Sequence, residues 1–558
     1  MVDEKKADQL FKEFKEISVT DFFRKNKAHL GYTGKIRSLT TVVHELVTNS
    51  FDACEEAGIL PEITVEIQQL GKEHYRFIER DNGPGIPKKH IGKVFGSMLA
   101  GTKFHRNVQL RGQQGIGVAG VTMFSQMTSG KPLKVITSTG DGKIYDAKLM
   151  IDTGKNRADV VEEQVYDESE YFGYESYGEY TPTLNDFYDE NNPPGQDKIV
   201  NLGGGNWHGT HVECEVKDVI YNLSEWGPYE YLRRTAIVNP HAQITFVDPE
   251  GKKTVFERTS SRIPDLPVEV KPHPGGVKVD DLVQMAKASV ARNTTSFLLK
   301  SFSRMSRGKV REIQEHVSFN LKKRPGLLKW AECEEIIDAF RRVKFLAPSL
   351  EGLSPIGEEQ INASVLSILD PEFEAVLTRK PKVHSGGIGF QIEVAVAYGR
   401  GAGKKGGENG DEKGAEIMRF ANRAPLLFDA GGCAITQAVR SIDWRRYDIG
   451  DFNKAPITVV VNLISTYIPY TSAGKQSVAN EENIEKEIRS ALQELGRKFT
   501  QFHSKRRRSQ EVENKRKLLL KYCGEVATAT AKLTGGDEDV LYSNLTSLIE
   551  DKLKGGVF

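Results

Sequence analysis

The chain has 558 residues, room for roughly three or four domains, and its 77 Lys and Arg against 76 Asp and Glu give a formal net charge of +1. That balance excludes a global electrostatic field as a source of nucleic-acid binding, so any contact with DNA must use local patches. Five scattered cysteines without a Cys-x-x-Cys pair argue against disulfides and a zinc site, and we find neither a signal peptide nor an apolar stretch of about 18 residues, which predicts a cytoplasmic protein without membrane contact.

The first 30 residues are rich in charge and carry apolar side chains at helical spacing, at Leu10, Phe11, Phe14 and Ile17. The pattern predicts an amphipathic helix ahead of the first domain. Because that domain has a core of its own, the apolar stripe is expected either to pack within the chain or to reach a second copy.

A helix is predicted around residues 44–54, where Glu45, Asn49 and Asp52 recur at i, i+4 and i+7 and so share one face. Glu45 can orient and deprotonate a water molecule, and Asn49 offers a neutral oxygen to a hard cation such as Mg²⁺. Taken alone, the helix is equally consistent with a solvated face that carries a Glu and an Asn by chance.

A short turn segment, Asp81-Asn82-Gly83-Pro84-Gly85-Ile86, follows the alternating residues 75–80, which predict a strand. Gly83 and Gly85 permit a tight turn and a close approach of the backbone to a flat ligand. The Asp81 carboxylate, at the end of the strand, can accept a hydrogen bond from an exocyclic amine. By itself the segment is also typical of an ordinary turn.

A glycine-rich turn at residues 111–120 runs into a helix of small residues, and its N–H groups would cradle phosphates. The same segment fits a dinucleotide-binding fingerprint, but the buried strand that such a fingerprint needs is missing, since residues 103–114 are polar. A P-loop is excluded as well, because Gly474-Lys475 is followed by Gln476 and lacks the earlier glycine.

Residues 161–190 carry ten acidic residues, six tyrosines and no Lys or Arg. Such a segment has little to bury, and we interpret it as part of a surface insertion at about residues 155–205. A mimic of nucleic acid and a docking strip for a partner are the less favoured alternatives. The strand pattern resumes at residues 210–216 and 244–247.

Residues 276–345 look helical and basic, and the turn at 301–311 suits phosphate contacts, although such charged residues more often form a solvated helical surface.

A turn of small residues at 472–478 carries a single lysine, Lys475, for which an ordinary surface position is the alternative interpretation.

Strands are also predicted at residues 389–398, 417–428 and 457–463, with a flexible loop at 401–414 between the first two. A helix is predicted from Glu482 to about Leu520, and its basic runs are of a kind that is usually solvated but could touch DNA or an acidic partner. These elements together predict an α/β domain that ends in a long helix.

Four elements follow one another along the chain: Glu45-x-x-x-Asn49, Asp81-x-Gly83-x-Gly85, a glycine-rich lid that ends at Gly117, and Gly209-Thr210. In this order they resemble the GHKL clan of ATPases, which includes gyrase-type topoisomerases, the mismatch-repair protein MutL, an ATP-dependent heat-shock chaperone and histidine kinases. The resemblance implies a Bergerat-type α/β sandwich that binds ATP and Mg²⁺, with Glu45 as general base, Asn49 as metal ligand and Asp81 as adenine reader. The full set of nucleotide-binding residues that it implies is Asn49, Asp52, Asp81, Gly83, Gly85, Thr102, Lys103, Gly112, Gln113, Gln114, Gly115, Ile116, Gly117, Val118, Thr210 and Lys475.

Three further segments, residues 14–19, 103–105 and 419–428, look like the B subunits of archaeal type IIB DNA topoisomerase VI. The similarity covers nearly the whole chain, apart from the acidic insertion and about the last forty residues. It implies an α+β multidomain protein. Its parts, in order, would be a GHKL ATPase domain at 1–255 with an N-terminal strap at 1–30, a helix-two-turn-helix domain at 256–350, an α/β transducer domain at 351–510, and a helical stalk at 511–558.

In that family a lysine of the transducer domain reaches the γ-phosphate, and the resemblance assigns this catalytic role to Lys475. The implied activity is ATP-dependent passage of one DNA duplex through a double-strand break in another. Cleavage would belong to a separate A subunit in an A2B2 assembly, since we find no Toprim signature in this chain. Two copies of the chain would pair when ATP binds, in an archaeal cytoplasm and in association with the nucleoid.

The competing hypothesis is a MutL-like or chaperone-like GHKL ATPase clamp, which would hydrolyse ATP without changing the linking number of DNA. A non-enzymatic binding module with a decayed site is the third hypothesis, and the intact Glu45 argues against it.

Overall fold

The computed structural model describes residues 23, 25–28, 30–98, 109, 111–112, 117–152, 157–172, 206–346, 351–384, 388–406, 412–472 and 474–554. Most of the predicted N-terminal strap, residues 1–22, lies outside these ranges. Among the helices within them, none is both long and apolar enough to cross a membrane.

The first part of the chain forms a sheet of eight strands covered by helices. The strand order is β5-β4-β3-β6-β2-β1-β7-β8, and the pair β1 and β7 is parallel while the other neighbours are antiparallel. The strands are β1 Glu62–Gly71, β2 His74–Asp81, β3 Leu133–Thr139, β4 Lys143–Asp152, β5 Arg157–Asp167, β6 His208–Lys217, β7 Gln243–Val247 and β8 Lys253–Phe256. The helices are α1 Lys35–Glu56, α2 Lys88–Gly96, α3 Gly117–Ser129, α4 Glu168–Phe172 and α5 Pro228–Val238.

The helices pack on this sheet through apolar residues that recur at every second position of its strands. Ile63, Val65 and Ile67 on β1 are fully buried every second residue, and they share one core with Val43 and Val47 of α1. Burial of each such side chain contributes about 1.5–3 kcal/mol, so the stripe on α1 is held firmly on the sheet. The polar side of the same helix is thereby fixed in direction, and this is the side that carries Glu45 and Asn49.

A helical unit follows. It consists of α6 Val279–Ala288, α7 Thr294–Ser301, α8 Arg307–Glu315 and α9 Trp330–Arg342 around a separate core. Edge-to-face contacts join Phe297 to Phe302 and Phe302 to Phe340 in that core. The helical character predicted for residues 276–345 is confirmed.

The second sheet has six strands in the order β10-β11-β16-β14-β15, with β9 paired to β11. Its strands are β9 Phe373–Thr378, β10 Lys382–His384, β11 Ile388–Tyr398, β14 Glu416–Ala421, β15 Ala424–Pro425 and β16 Ile457–Ser465. Helices α10 Glu358–Leu369, α11 Ala434–Arg440 and α12 Glu482–Thr534 pack on it. All nine residues of β16 are buried, which explains why this strand is mostly apolar on both faces and does not alternate.

Two predictions about this part were wrong in detail. The flexible loop predicted at 401–414 contains two short paired strands, β12 Lys404–Gly406 and β13 Glu412–Gly414, whose pairing is made by the backbone and leaves no apolar pattern in the sequence. The long helix α12 does not stop near Leu520. It continues to Thr534, and α13 Glu538–Lys554 folds back along it through contacts such as Arg516 to Glu550 at 3.1 Å.

The first part of the acidic segment forms a strand and a short helix that the sequence did not predict. Residues 157–172 belong to the first sheet as β5 and α4, and residues 173–205 lie outside the described part of the chain. Strand β5 is an edge strand with most side chains exposed, so it lacks the alternation that marks a half-buried strand. Its acidic residues pair with lysines of β4 across the strands, Asp167 with Lys143 at 2.5 Å and Glu162 with Lys148 at 2.7 Å.

Candidate functional site

Glu45 and Gly117 lie against each other, and this contact joins α1 to the start of α3. The Glu45 side chain is half-buried, and a Cβ atom built on Gly117 would collide with its Oε2. Gly117 is the first residue of α3, where backbone N–H groups have no partner within the helix. A carboxylate and a helix N-terminus therefore face the same point in space.

The surroundings of Glu45 are aromatic and buried. Burial, reinforced by the Glu45 charge, raises the pKa of Tyr32 well above its usual value. Burial lowers the pKa of His44, which shares a hydrogen bond with the Tyr231 hydroxyl at 3.2 Å. Both neighbours are neutral at pH 7, and the charge of Lys475 contributes to the lowered pKa of His44.

Asn49 and Asp52, one and two turns further along α1, lie in different environments. Asn49 is exposed, and its amide N–H donates to the carbonyl of Glu45, which leaves the amide oxygen as the group that can accept or ligate. Asp52 is only 7% exposed, and its carboxylate accepts from Arg111 at 2.8 Å. The shared face that we predicted therefore divides into an accessible end and a buried ion pair.

Asp81 ends strand β2 and is held by three donors. Its carboxylate accepts from the backbone N–H of Gly83 at 2.8 Å, from the N–H of Thr210 at 3.2 Å and from the Ser50 hydroxyl at 2.9 Å. Burial raises the pKa of Asp81, and these hydrogen bonds oppose the shift. The carboxylate is therefore oriented before any ligand arrives.

A second carboxylate, Glu79, lies behind Asp81 on the same face of the strand. It accepts from the same Ser50 hydroxyl at 2.6 Å, and burial followed by the charge of Asp81 raises its pKa well above the usual value. One hydroxyl has a single proton and cannot donate to both carboxylates at once. Keeping Glu79 protonated resolves this conflict and leaves the negative charge on Asp81.

The pairing of strands β2 and β6 places Gly209-Thr210 beside Asp81. Asp81 pairs with Thr210 across β2 and β6, and Thr210 pairs with Thr137 across β6 and β3. The two threonine hydroxyls lie 3.3 Å apart, and Thr137 also accepts from the N–H of Ile86 at 2.9 Å. Strand pairing alone thus joins three segments that are far apart in sequence.

At Gly83 and Gly85 any larger residue would clash with its neighbours. At Gly83 a Cβ atom would come within 2.9 Å of the Asp81 carboxylate, and at Gly85, where φ is +71°, it would collide with the Ser138 carbonyl. The His208 ring donates to the Gly83 carbonyl at 2.8 Å and fixes the turn from the other side. The two glycines thus leave backbone without side chains beside the fixed Asp81 carboxylate, an arrangement that suits a flat ring with an amine.

Only part of the predicted lid can be located. Gly112, Gly117 and Val118 are within the described ranges, whereas Gln113, Gln114, Gly115 and Ile116, together with the predicted Thr102 and Lys103, lie outside them.

Lys475 lies in the turn between β16 and α12 and reaches the lid from the second sheet. Its ammonium donates to the carbonyl of Arg111 at 3.3 Å, next to Gly112. The turn is held by Arg419, which donates to the Gln476 carbonyl at 3.2 Å and to the Phe428 carbonyl at 2.8 Å. A lysine of one domain thus touches the backbone at the entrance to the glycine loop of the other.

Sequence reasoning missed four polar groups of the site: Ser50, Glu79, Thr137 and His208. Glu79 had a usable signal, because residues i and i+2 of a strand share a face and Asp81 was already a candidate. Thr137 had none, since its place depends on pairing between distant strands.

The glycine loop, the helix N-terminus and the oriented carboxylate fit a nucleotide, and comparisons with known proteins agree. The family described as histidine kinase-, DNA gyrase B- and HSP90-like ATPase matches residues 34–152. Fold and site together define an ATPase of this GHKL class.

The second sheet identifies the family more closely. Residues 348–515 match the family described as the transducer of the topoisomerase VI B subunit. The chain is 47% identical to the type 2 DNA topoisomerase 6 B subunit of Pyrococcus horikoshii over 98% of this chain and 97% of that one. It is 46% identical to the corresponding protein of Thermococcus gammatolerans over 98% of this chain and 97% of that one. It is also 46% identical to that of Methanothermobacter thermautotrophicus, over 99% of each chain. The chain belongs to the family of type 2 DNA topoisomerase 6 B subunits and is the ATP-dependent subunit of a type II DNA topoisomerase.

Proposed function

We propose that this chain hydrolyses ATP with Glu45 as the general base and uses the cycle to open and close a clamp on DNA. The observation that carries the proposal is the contact of Glu45 with Gly117. A base positioned at a helix N-terminus can take a proton from a water molecule while the helix N–H groups hold the phosphate that this water attacks. A general base contributes about 10²–10⁴-fold to such a step.

Adenine recognition is assigned to Asp81. Its carboxylate would accept the exocyclic amine, Gly83 and Gly85 would line the ring, and Thr210 would support the contact through its N–H to Asp81. The support for this assignment is the set of hydrogen bonds at 2.8, 2.9 and 3.2 Å that fixes the carboxylate. A guanine carries a carbonyl in place of the amine and would leave Asp81 facing another acceptor.

Asn49 is proposed as the protein ligand of Mg²⁺. Its side-chain oxygen, together with phosphate oxygens, would supply ligands of the kind that Mg²⁺ prefers. Bound there, Mg²⁺ would offset the charge of the phosphates. Asp52, which we also expected at the nucleotide, is engaged by Arg111, and any effect it has on binding would pass through that ion pair.

Lys475 is proposed to sense the third phosphate. Its ammonium is a point charge that donates to the Arg111 carbonyl at the entrance of the glycine loop, and it would exchange this carbonyl for the γ-phosphate of a bound ATP. Gly112, the residues 113–116, Gly117 and Val118 would form the lid, with Thr102 and Lys103 before it. Loss of the γ-phosphate would release Lys475 and let the two domains rotate.

We further propose that two copies pair through their N-terminal segments when ATP binds. The assembly would be A2B2, with double-strand cleavage carried out by a topoisomerase VI A subunit and the captured duplex passed through the break. The ATPase and transducer units, the helical unit and the α12–α13 stalk would correspond to the four predicted domains. The place of action would be the nucleoid of an archaeal cytoplasm.

Relaxation of a supercoiled plasmid tests this function. The chain is assayed with and without an A subunit, and with ATP or a non-hydrolysable analogue. Relaxation is expected only when both subunits and ATP are present. ATP hydrolysis with no change in linking number, even with the A subunit, would favour the MutL-like or chaperone-like clamp.

A further inference from the structure

Glu55, near the end of α1, binds three partners from different parts of the chain. Its carboxylate accepts from Arg111 at 2.7 and 3.0 Å, from Arg423 at 3.1 Å and from the His241 ring at 2.8 Å. Glu55, Arg111 and Arg423 are all less than a tenth exposed. Arg111 precedes the glycine loop and Arg423 belongs to the second sheet, so one buried carboxylate joins the nucleotide lid to the transducer.

Asn239 ties the same groups together a second time. Its side-chain oxygen accepts from Arg111 at 2.7 Å, and its amide N–H donates to the Arg423 carbonyl at 3.3 Å. Within the described residues the cluster contains two carboxylates, Asp52 and Glu55, and two guanidiniums, so it is electrically balanced with His241 neutral. Burial raises the pKa of Glu55, but Arg111 and Arg423 outweigh burial and hold it well below its usual value.

The backbone at Arg423 is unusual. Asn422 and Arg423 have φ values of +49° and +65° and form the tight turn between β14 and β15. In such a turn glycine is favoured at the second position, because a side chain there meets the backbone. An arginine placed where glycine is preferred indicates that its side chain is needed, and its partner is Glu55.

The turn is rigid on the transducer side. Asn422 donates to the Ser465 carbonyl at 3.0 Å and accepts from the Ser465 N–H at 3.0 Å, while the Arg423 N–H donates to Asn462 at 3.2 Å. A cavity of about 360 Å³ lies on the other side, between the end of α1, the segment around Leu266 and this turn. The cluster is thus anchored in the transducer on one side and borders this cavity on the other.

We propose that Glu55, through Arg111 and Arg423, is the joint that transmits the state of the nucleotide lid to the transducer. Lys475 contacts the lid entrance at the Arg111 carbonyl, at 3.3 Å, whereas the Glu55 cluster holds the same entrance by several buried contacts. When Lys475 moves, the transducer would therefore rotate about Glu55 and stay attached to the ATPase domain. This inference rests on the proposed roles of Lys475 and the lid, and it names Glu55 and Arg423 as positioning residues.

The variant Arg423→Gln tests the joint, because Glu55 keeps Arg111 and His241 as partners and is not left as an unpaired buried charge. The variant is assembled with the A subunit, and plasmid relaxation and ATP hydrolysis are measured in one reaction. We expect hydrolysis within about threefold of wild type and relaxation slower by about tenfold or more, in line with typical coupling energies. Arg423→Lys is expected to recover part of the relaxation rate.

The matched control is Asp429→Asn. It removes another ion pair between the same two domains, Arg37 to Asp429 at 3.2 Å, whose side chains are partly exposed. The control should keep the wild-type number of linking changes per ATP.

The inference is overturned if Arg423→Gln keeps the wild-type ratio of plasmid relaxation to ATP hydrolysis. It is also overturned if both activities fall equally and the melting temperature falls with them. The same loss of relaxation per ATP in the control Asp429→Asn would overturn it as well. If Arg423→Gln does not fold, Arg423→Lys is measured by the same ratio of relaxation to hydrolysis and must show a smaller uncoupling in the same direction. Wild-type protein that hydrolyses no ATP, or relaxes no DNA with its partner, would instead contradict the proposed function.

Discussion

The two ends of the candidate nucleotide site are built in different ways. The adenine end, around Asp81 and Thr210, is made by neighbouring strands of one sheet whose register places the groups within 3.2 Å of each other. The phosphate end, around Glu45, Gly117 and Lys475, is assembled from a helix, the start of a second helix and a turn of another domain. The first end is fixed by the fold of a single domain, and the second depends on how two domains meet.

This difference separates binding from turnover. A rigid carboxylate on a sheet can recognise a base but cannot report on hydrolysis. A site whose parts come from two domains changes the domain arrangement when the phosphate changes. We therefore expect substitutions at the adenine end to alter affinity, and substitutions at the phosphate end to alter hydrolysis.

Glu45→Gln should give the largest effect on turnover. It preserves the size of the side chain but removes the group that accepts the proton, so ATP hydrolysis is expected to fall by about 10²–10⁴-fold. Phosphate release measures the rate, and calorimetric titration with a non-hydrolysable analogue measures affinity, which should stay close to wild type. Equal losses in rate and affinity would remove the distinction between the two ends.

Gly117→Ala tests the geometry at the phosphate end. The added methyl group collides with the Glu45 carboxylate, and displacing a base by about 1 Å can cost about 10²-fold in rate. We expect kcat to fall by about 10- to 100-fold. Gly431→Ala is the control, because a Cβ atom there has no neighbour within 4 Å. Full activity of Gly117→Ala would mean that Glu45 does not need its present position.

Asp81→Asn should weaken ATP binding by about 10- to 100-fold, since a hydrogen bond to a charged group is worth about 1.5–3 kcal/mol. The loss is expected in Kd, and the preference for adenine over guanine should shrink with it. Titration with both nucleotides measures the effect. An unchanged Kd would refute the assignment of Asp81 as adenine reader.

Glu79→Gln is expected to raise stability slightly, and only at neutral and alkaline pH. The pKa of Glu79 is raised in the folded state by burial, so its favourable contribution is complete at low pH and is lost as pH rises through that raised pKa. Glutamine is neutral without taking up a proton, so it avoids the cost of protonating a group that is ionised in the unfolded chain, and the melting temperature should rise by about 2–4 °C for each kcal/mol gained. Below about pH 4 both side chains are neutral and the gain should vanish. A gain that persists at low pH would exclude this cause.

Much of the adenine end could be predicted, because Asp81, Gly83 and Gly85 lie within a few residues of one another after a regular strand. Glu45 and Asn49 could be proposed from the sequence for the same reason, since helical spacing is local. The contact of Lys475 with Arg111, by contrast, joins residues 364 positions apart, and no local pattern indicates it.

The burial of Asp52 was missed on similar grounds. Helical spacing places it on the face of Glu45 and Asn49, but its partner Arg111 arrives from a separate segment. The Glu55 cluster was missed entirely, because each of its members looks like an ordinary surface charge until the two domains are brought together. Strand β5 shows that even local structure is hidden when both faces of an edge strand are exposed.

The most direct test of the difference between the two ends compares the binding of a non-hydrolysable ATP analogue with the binding of ADP. Both are titrated into the wild type, Lys475→Ala and Asp81→Asn. We predict that Lys475→Ala keeps its affinity for ADP and loses the preference for the triphosphate, while Asp81→Asn binds both more weakly and keeps that preference. A Lys475→Ala variant that retains the wild-type preference would contradict the separation of the site into an adenine end that binds and a phosphate end that senses.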